Sequence, residues 1–425
     1  MNRNIVHNCE MRNSLILPSL LIYIVSQFDF ILGYILAFTV IILMIIKSNK
    51  IVLTSAIWPL IFIFIIGVLQ SLLNLEISAA NFLRDLLYFS RPILLIYLGY
   101  MIGIKLGENS FPLIIKIFIE YAAFGVLTSF LMVIFQLQKL IGNPTFLQLR
   151  ALMQGTDEST MIGFAVLIFY PSYLGNKVKI FSAKVSMGLK LLFFISLVIS
   201  LSRMQLIIFF ITFLVLYLFS NKSYIKKSTL FSVPLVILSA IISINLLSKI
   251  GLLTTFLLKV TNSLNEISSK SDWSNYYNIV NDWRGYESYT ARLLFSQFTF
   301  VNKIIGSGFG TLIPVNYSNL VGVPLSNGGI IQLHNGYYSM LVKVGFSGII
   351  LYLIFLIRIF FWSNFYNSNS RLSSALLKAI SLVIVTCSFV TTGIFKSVFP
   401  FGLLIFIGYL LQHSKIYQKS NNHYN

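Results

Sequence analysis

Charge is scarce in this chain. Only 10% of its 425 side chains are Asp, Glu, Lys or Arg, and twelve are acidic, against 57% apolar. Mean hydropathy is +0.84, which excludes an ordinary soluble domain. Cysteine is nearly missing: Cys9 lies near the N-terminus and Cys387 inside an apolar run, so neither a disulfide framework nor a thiolate metal site is expected. Histidine is almost as rare. His7, His413 and His423 fall in or beside the terminal tails, which leaves His334 as the one histidine in the body of the chain. Internal repeats and low-complexity linkers are lacking too, and the economical reading is one membrane domain over residues 1–425. The net charge of +19 is spread in short clusters between apolar runs, which argues against a nucleic-acid partner and for membrane orientation.

What the chain has in abundance is apolar runs. Roughly twenty apolar residues cross a bilayer core, and shorter or tilted spans also occur. On that criterion about twelve spans are expected, near residues 14–27, 29–46, 52–73, 92–107, 114–137, 159–175, 185–201, 204–220, 230–248, 336–361, 373–391 and 398–413. The first run has no cleavage site of small residues after it and reads as a retained helix. Placing both termini in the cytoplasm puts Lys47 and Lys50, Lys177 to Lys190, Lys222 to Lys227, Arg358 to Lys378, and Lys415 and Lys419 on the inner side, as basic loops require. The fold class is therefore all-α polytopic membrane protein. A large, partly helical outer loop, residues 249–335, is embedded between the ninth and tenth spans.

That loop collects four of the twelve acidic residues, Glu266, Asp272, Asp282 and Glu287. It also holds Trp273, Tyr276, Tyr277, Trp283, Tyr286 and Tyr289 within a short interval. Leu293, Leu294, Phe298, Val301, Ile304 and Ile305 have the spacing of a helix with one apolar face, expected to lie on membrane lipids. The aromatics suit two roles, stacking on sugar rings or anchoring at the interface. The acidic residues, with Asp157 and Glu158, suggest a glycosidase-like carboxylate pair; no metal-ligand spacing accompanies them. Gly306-Ser307-Gly308-Phe309-Gly310 reads as a tight turn rather than a phosphate loop, since no strand precedes it and no Walker lysine follows.

Four basic positions fall on the outer side: Arg150, Arg203, Arg292 and His334. Guanidinium stays charged and donates paired hydrogen bonds to phosphate oxygens, which fits a diphosphate group, although single membrane arginines also snorkel to headgroups. Arg203 is held tightly in Ser200-Leu201-Ser202-Arg203 between two apolar runs. Imidazole titrates near neutrality, so His334 suits a general base. Asn335 either orients a sugar hydroxyl or caps the helix that follows.

These residues resemble the O-antigen polymerase and O-antigen ligase superfamily of polytopic bacterial glycosyltransferases. The likeness rests on Arg150-Ala-Leu-Met-Gln-Gly-Thr-Asp157 before a span, Ser200-Leu-Ser-Arg203 at a tight hairpin, Arg292 followed by Gly306-Ser-Gly-Phe-Gly310, and His334-Asn-Gly-Tyr337 with Gly345 and Gly348 downstream. It covers residues 140–350 and departs at Asp157-Glu158-Ser159, where a Pro-Asn pair is common, and in the loop between Gly310 and His334.

The resemblance implies metal-independent, cofactor-free glycosyl transfer from an undecaprenyl-diphosphate-linked oligosaccharide on the periplasmic face. Arg203, Arg292 and Arg150 would hold the diphosphate, and His334 would activate the acceptor hydroxyl. Asn335, Tyr337, Trp283 and Tyr286 would contact the saccharide, and a polysaccharide chain-length regulator is a possible partner. A composition rich in Ile, Phe, Asn and Lys, with idiosyncratic loops, favours a polymerase over a ligase acting on lipid A core. A transporter would place its charges at the midplane of repeated halves, a pattern this sequence lacks.

Overall fold

The computed structural model describes residues 30–48, 54–74, 76–107, 110–135, 157–175, 178–200, 202–220, 273–315, 329–362, 370–396 and 400–421. Thirteen α-helices occur among them: α1 (Phe30–Ser48), α2 (Trp58–Leu73), α3 (Ala79–Leu106), α4 (Phe111–Phe135), α5 (Glu158–Leu174), α6 (Ala183–Ser200), α7 (Arg203–Phe219), α8 (Tyr276–Asn281), α9 (Trp283–Ser296), α10 (Phe300–Ile305), α11 (Gly336–Phe360), α12 (Ser370–Val390) and α13 (Phe401–Asn421). A two-residue antiparallel ladder pairs β1 (Ile313–Pro314) with β2 (Gly329–Ile330).

The molecule is an all-α membrane protein. Among the described residues, five helical stretches are long and apolar enough to cross a bilayer: Ser55–Leu73, Ala79–Leu106, Phe111–Phe135, Gly336–Phe360 and Arg371–Val390. Ten of the twelve expected spans coincide with helices; the runs at 14–27 and 230–248 lie outside the described residues. Of the outer loop expected over 249–335, residues 273–315 and 329–335 are described, and they hold the three short helices α8, α9 and α10.

Two boundaries differ from the sequence reading for physical reasons. The span expected to begin at residue 92 belongs to a helix that starts at Ala79, capped by the Ser78 hydroxyl on the Asn81 amide. Asp85 and Arg91 look like loop residues in the sequence, yet both are fully buried in α3. Each is paired there: Asp85 forms an ion pair with Lys343 of α11, and Arg91 donates to the Lys396 carbonyl and lies 5.3 Å from the Phe401 ring centre. The packing of α3 against α13 supplies much of the central wall. Its interlock needs glycine, since a Cβ on Gly99 or Gly408 would fall within 2 Å of a carbonyl oxygen of the facing helix.

The second difference is inside the expected span 336–361. Gly345 has φ 68° and ψ −163°, a conformation open to glycine, and it breaks α11 in two. Tyr337 and Tyr352 would stand about 22 Å apart along a straight helix rising 1.5 Å per residue. Their ring centres are instead 6.2 Å apart, so the first segment of α11 folds back on the second. The turn at Gly306 to Gly310 seats against this bend, with Gly306, Gly308 and Gly310 all at positive φ. A Cβ on Gly306 would lie 2.3 Å from the Lys343 backbone.

The described residues of the 249–335 stretch build a small core of their own. Ile279, Trp283, Tyr286, Ala291, Ile313, Val315, Ile330 and Leu333 pack together and join the bundle through Val342 of α11. Beside it, α10 exposes Phe300, Val301 and Ile304, an apolar surface next to the exposed stripe Phe346, Ile350 and Ile357 of α11.

Candidate active site: a histidine held by a buried glutamate

His334 lies in the short link between β2 and α11, and its orientation is set by α9. The Glu287 carboxylate, 2% exposed, receives His334 Nδ1 at 3.0 and 3.1 Å on its two oxygens. The His334 backbone amide donates to the same carboxylate at 3.0 Å, and the Trp283 indole N–H donates to it at 2.6 Å. Trp283 and Glu287 are four positions apart on one helix, which places both groups on the face turned to the loop. A carboxylate only accepts, so its contact with Nδ1 assigns the ring proton to that nitrogen and leaves the lone pair on Nε2. The His334 side chain is 44% exposed. The arrangement is an oriented imidazole with one nitrogen spent and the other available, the geometry of a general base with its positioning carboxylate.

The neighbours expected to touch substrate have other work in this structure. Asn335 Oδ1 accepts from the Tyr337 and Tyr338 amides at 3.0 and 3.2 Å, so of its two expected roles it performs the capping one. The Tyr337 hydroxyl donates to the Val385 carbonyl of α12 at 3.2 Å. Trp283 and Tyr286 are 7% and 5% exposed and belong to the small core behind the dyad. Open aromatic surface lies instead at Tyr277 and Tyr276.

The arginines stand in separate elements. Arg203 is the first residue of α7, half-buried, in a helix that packs against both α5 and α12. Arg292 is exposed on α9, five positions after Glu287 and hence about 140° around a helix of 3.6 residues per turn. Arg150 lies outside the described residues.

The turn at 306–310 is not a phosphate cradle. The Ser307 amide donates to the Val342 carbonyl, Gly308 to Lys343, Phe309 to Gly67 and Gly310 to the Asp85 carboxylate, so four successive amides are consumed by the protein itself.

A second polar cluster lies beneath the His334 loop, between the first turn of α5 and the link from α12 to α13. Lys396 Nζ is 2.5 Å from Glu158 Oε1, and the Asp157 carboxyl caps α5 through the Ser159 amide at 2.9 Å. Burial pushes the Asp157 carboxyl up to about 6 despite its bond from the Ser159 hydroxyl. Burial opposes the Lys396 ammonium, but Glu158, together with Cys387 and Asp157, more than offsets it and raises the Lys396 pKa above the usual range. No group of three or more potential metal ligands occurs among the described residues.

No protein-family model, curated protein or solved structure matches the chain.

Sequence reasoning singled out His334 and missed its partner. Glu287 was one carboxylate among several, and the signal that distinguishes it is the i, i+4 spacing from Trp283, which only the fold turns toward His334. Asp85, Arg91, Lys343 and Lys396 escaped notice because each sits in or beside an apolar run.

Proposed function

We propose that this protein is an O-antigen-type polysaccharide polymerase, joining undecaprenyl-diphosphate-linked oligosaccharide repeat units on the outer face of a bacterial inner membrane. The observation that carries this reading is the half-exposed His334 imidazole with Nδ1 held by the buried Glu287 carboxylate. In the proposed step, His334 Nε2 takes the proton of the acceptor hydroxyl as that oxygen bonds to the anomeric carbon of the donor. The bond from that carbon to the diphosphate oxygen breaks, undecaprenyl diphosphate leaves with the electron pair, and the anomeric centre inverts. Glu287 stabilises the imidazolium as it forms, and it keeps the ring from turning. Arg203, Arg292 and Arg150 are the groups assigned to the departing diphosphate, whose charge must be neutralised for it to leave.

The purified protein, given lipid-linked repeat units, is expected to produce a ladder of longer lipid-linked saccharides. His334→Ala is expected to lower that rate about 10²–10⁴-fold while the variant still inserts and unfolds like the parent. Full activity in that variant removes His334 as the base. Transfer only to lipid A core would make the protein a ligase, and passage of intact substrate across vesicles without bond formation would make it a transporter.

A further inference from the structure

The link between α12 and α13 grips the His334 segment through bonds separate from those of Glu287. The Gly336 amide donates to the Thr391 carbonyl at 3.1 Å, the Thr392 hydroxyl to the Leu333 carbonyl at 2.8 Å, and Gln332 Nε2 to the Phe395 carbonyl at 2.8 Å. These bonds fall on both sides of His334 in the chain, and none of them uses its imidazole. Residues 391–396 thus act as a strap under the loop that carries the proposed base.

The strap is rooted by charge. The Lys396 carbonyl accepts from the buried Arg91 guanidinium of α3, and the Lys396 ammonium pairs with Glu158 on α5. Phe395 stacks on Phe89 at 4.5 Å, and Phe89 on Phe309 of the glycine turn at 4.4 Å. Glu158 and Lys396 side chains are 7% and 22% exposed, so the ion pair lies in surroundings where breaking it on one side leaves an uncompensated charge. The pair also links the His334 loop to the helix that begins at Arg203. α5 packs directly on α7, whose first residue is Arg203, and the strap continues from α12, which packs on the same α7.

We propose that Lys396 is a positioning residue for His334: its ion pair with Glu158 fixes the strap, and the strap fixes the loop that presents the imidazole. Glu287 sets the tautomer and rotation of the ring. Lys396 and Glu158 set where the loop backbone stands relative to α7, the helix that bears Arg203. The inference rests on His334 being the base, and a shift of about 1 Å at such a group costs on the order of 100-fold in rate.

The test compares Lys396→Met, Lys396→Arg and Glu158→Gln with the parent protein by two readouts. The first is kcat and KM for elongation of lipid-linked repeat units. The second is the rate at which diethyl pyrocarbonate modifies His334, followed by mass spectrometry on the purified, folded full-length chain. Lys396→Met and Glu158→Gln are expected to lower kcat by about 10–100-fold with KM within about twofold, and to change the His334 modification rate. Lys396→Arg keeps the charge and should stay close to the parent in both. If Lys396→Met does not fold, Glu158→Gln and Lys396→Arg decide the matter, since each preserves side-chain bulk.

An unchanged kcat, or a raised KM at constant kcat, overturns the positioning role; the latter would make Lys396 a substrate contact. Because the modification readout needs no elongation, it judges the strap even if the parent protein fails to polymerise. An unchanged modification rate in an active protein sinks the positioning role and leaves the proposed function standing.

Discussion

Two acid-base pairs in this molecule use similar chemistry to opposite ends. Asp85 and Lys343 are 2% and 1% exposed and bonded to each other, and the Asp85 carboxylate also receives the Gly310 amide, closing the glycine turn over the bend in α11. Glu287 is just as buried, yet its partner His334 is 44% exposed and keeps one ring nitrogen unspent. The first pair ties α3, α11 and the 306–310 turn into one piece. The second holds one group still while leaving it able to react. A buried ionisable pair therefore does not mark a reactive site by itself; what marks it is hydrogen-bonding capacity left over at an accessible atom.

The largest effect expected from this contrast is on the closed pair. Lys343→Met leaves the Asp85 carboxylate buried beside the Gly310 amide alone, and it should cost about 3–5 kcal/mol, read as a fall in Tm in detergent. The double change Asp85→Leu with Lys343→Met removes both charges and should recover much of that loss. A double variant no more stable than the single one would break the comparison.

For the open pair the effect should appear in rate before stability. Glu287→Gln keeps the shape of the side chain but removes the charge that supports an imidazolium, and activity should drop about 100-fold. If activity holds while Tm collapses, Glu287 belongs with Asp85 as a purely structural acid.

A third carboxyl stands between the two cases and sharpens the contrast. Asp157 is half-buried, its carboxylate accepts from the Ser159 and Thr160 amides and the Tyr121 hydroxyl, and withdrawal from water raises its pKa from 3.8 to about 6. A carboxyl whose folded pKa is raised binds more protons folded than unfolded, so its contribution to stability is full below about 4 and is lost as pH rises through about 6. Relative to Asp157→Asn, whose amide can still cap α5, the parent should lose on the order of 2 kcal/mol between pH 4 and pH 7. Parallel unfolding curves for the two proteins across that range would remove the buried charge as the cause.

Much of the bundle is legible in the chain because lipid demands long apolar helices, and their runs can be counted. Helix ends were read less well where charge intervened: Arg91 and Pro92 looked like the start of a span, while α3 begins at Ala79 because Asp85 and Arg91 find partners in α11, the strap and Phe401. The bend at Gly345 was hidden for a related reason. Hydropathy stays high from 336 to 360 despite Lys343 and Arg358, and nothing local distinguishes a glycine at φ 68° from one in a straight helix.

By itself the sequence determined the all-helical membrane class and the absence of a cysteine framework, since these follow from composition and period; it set His413 beside the terminal tail, whereas the structure buries that imidazole in α13, stacked on Phe111 at 4.1 Å. Only the tertiary structure decided that Glu287, forty-seven positions away, holds His334, that the glycine turn is closed by Asp85, and that residues 391–396 strap the loop. Each of those depends on contacts between distant segments, and a hydrogen bond across such a separation leaves no periodic trace in the residues that make it.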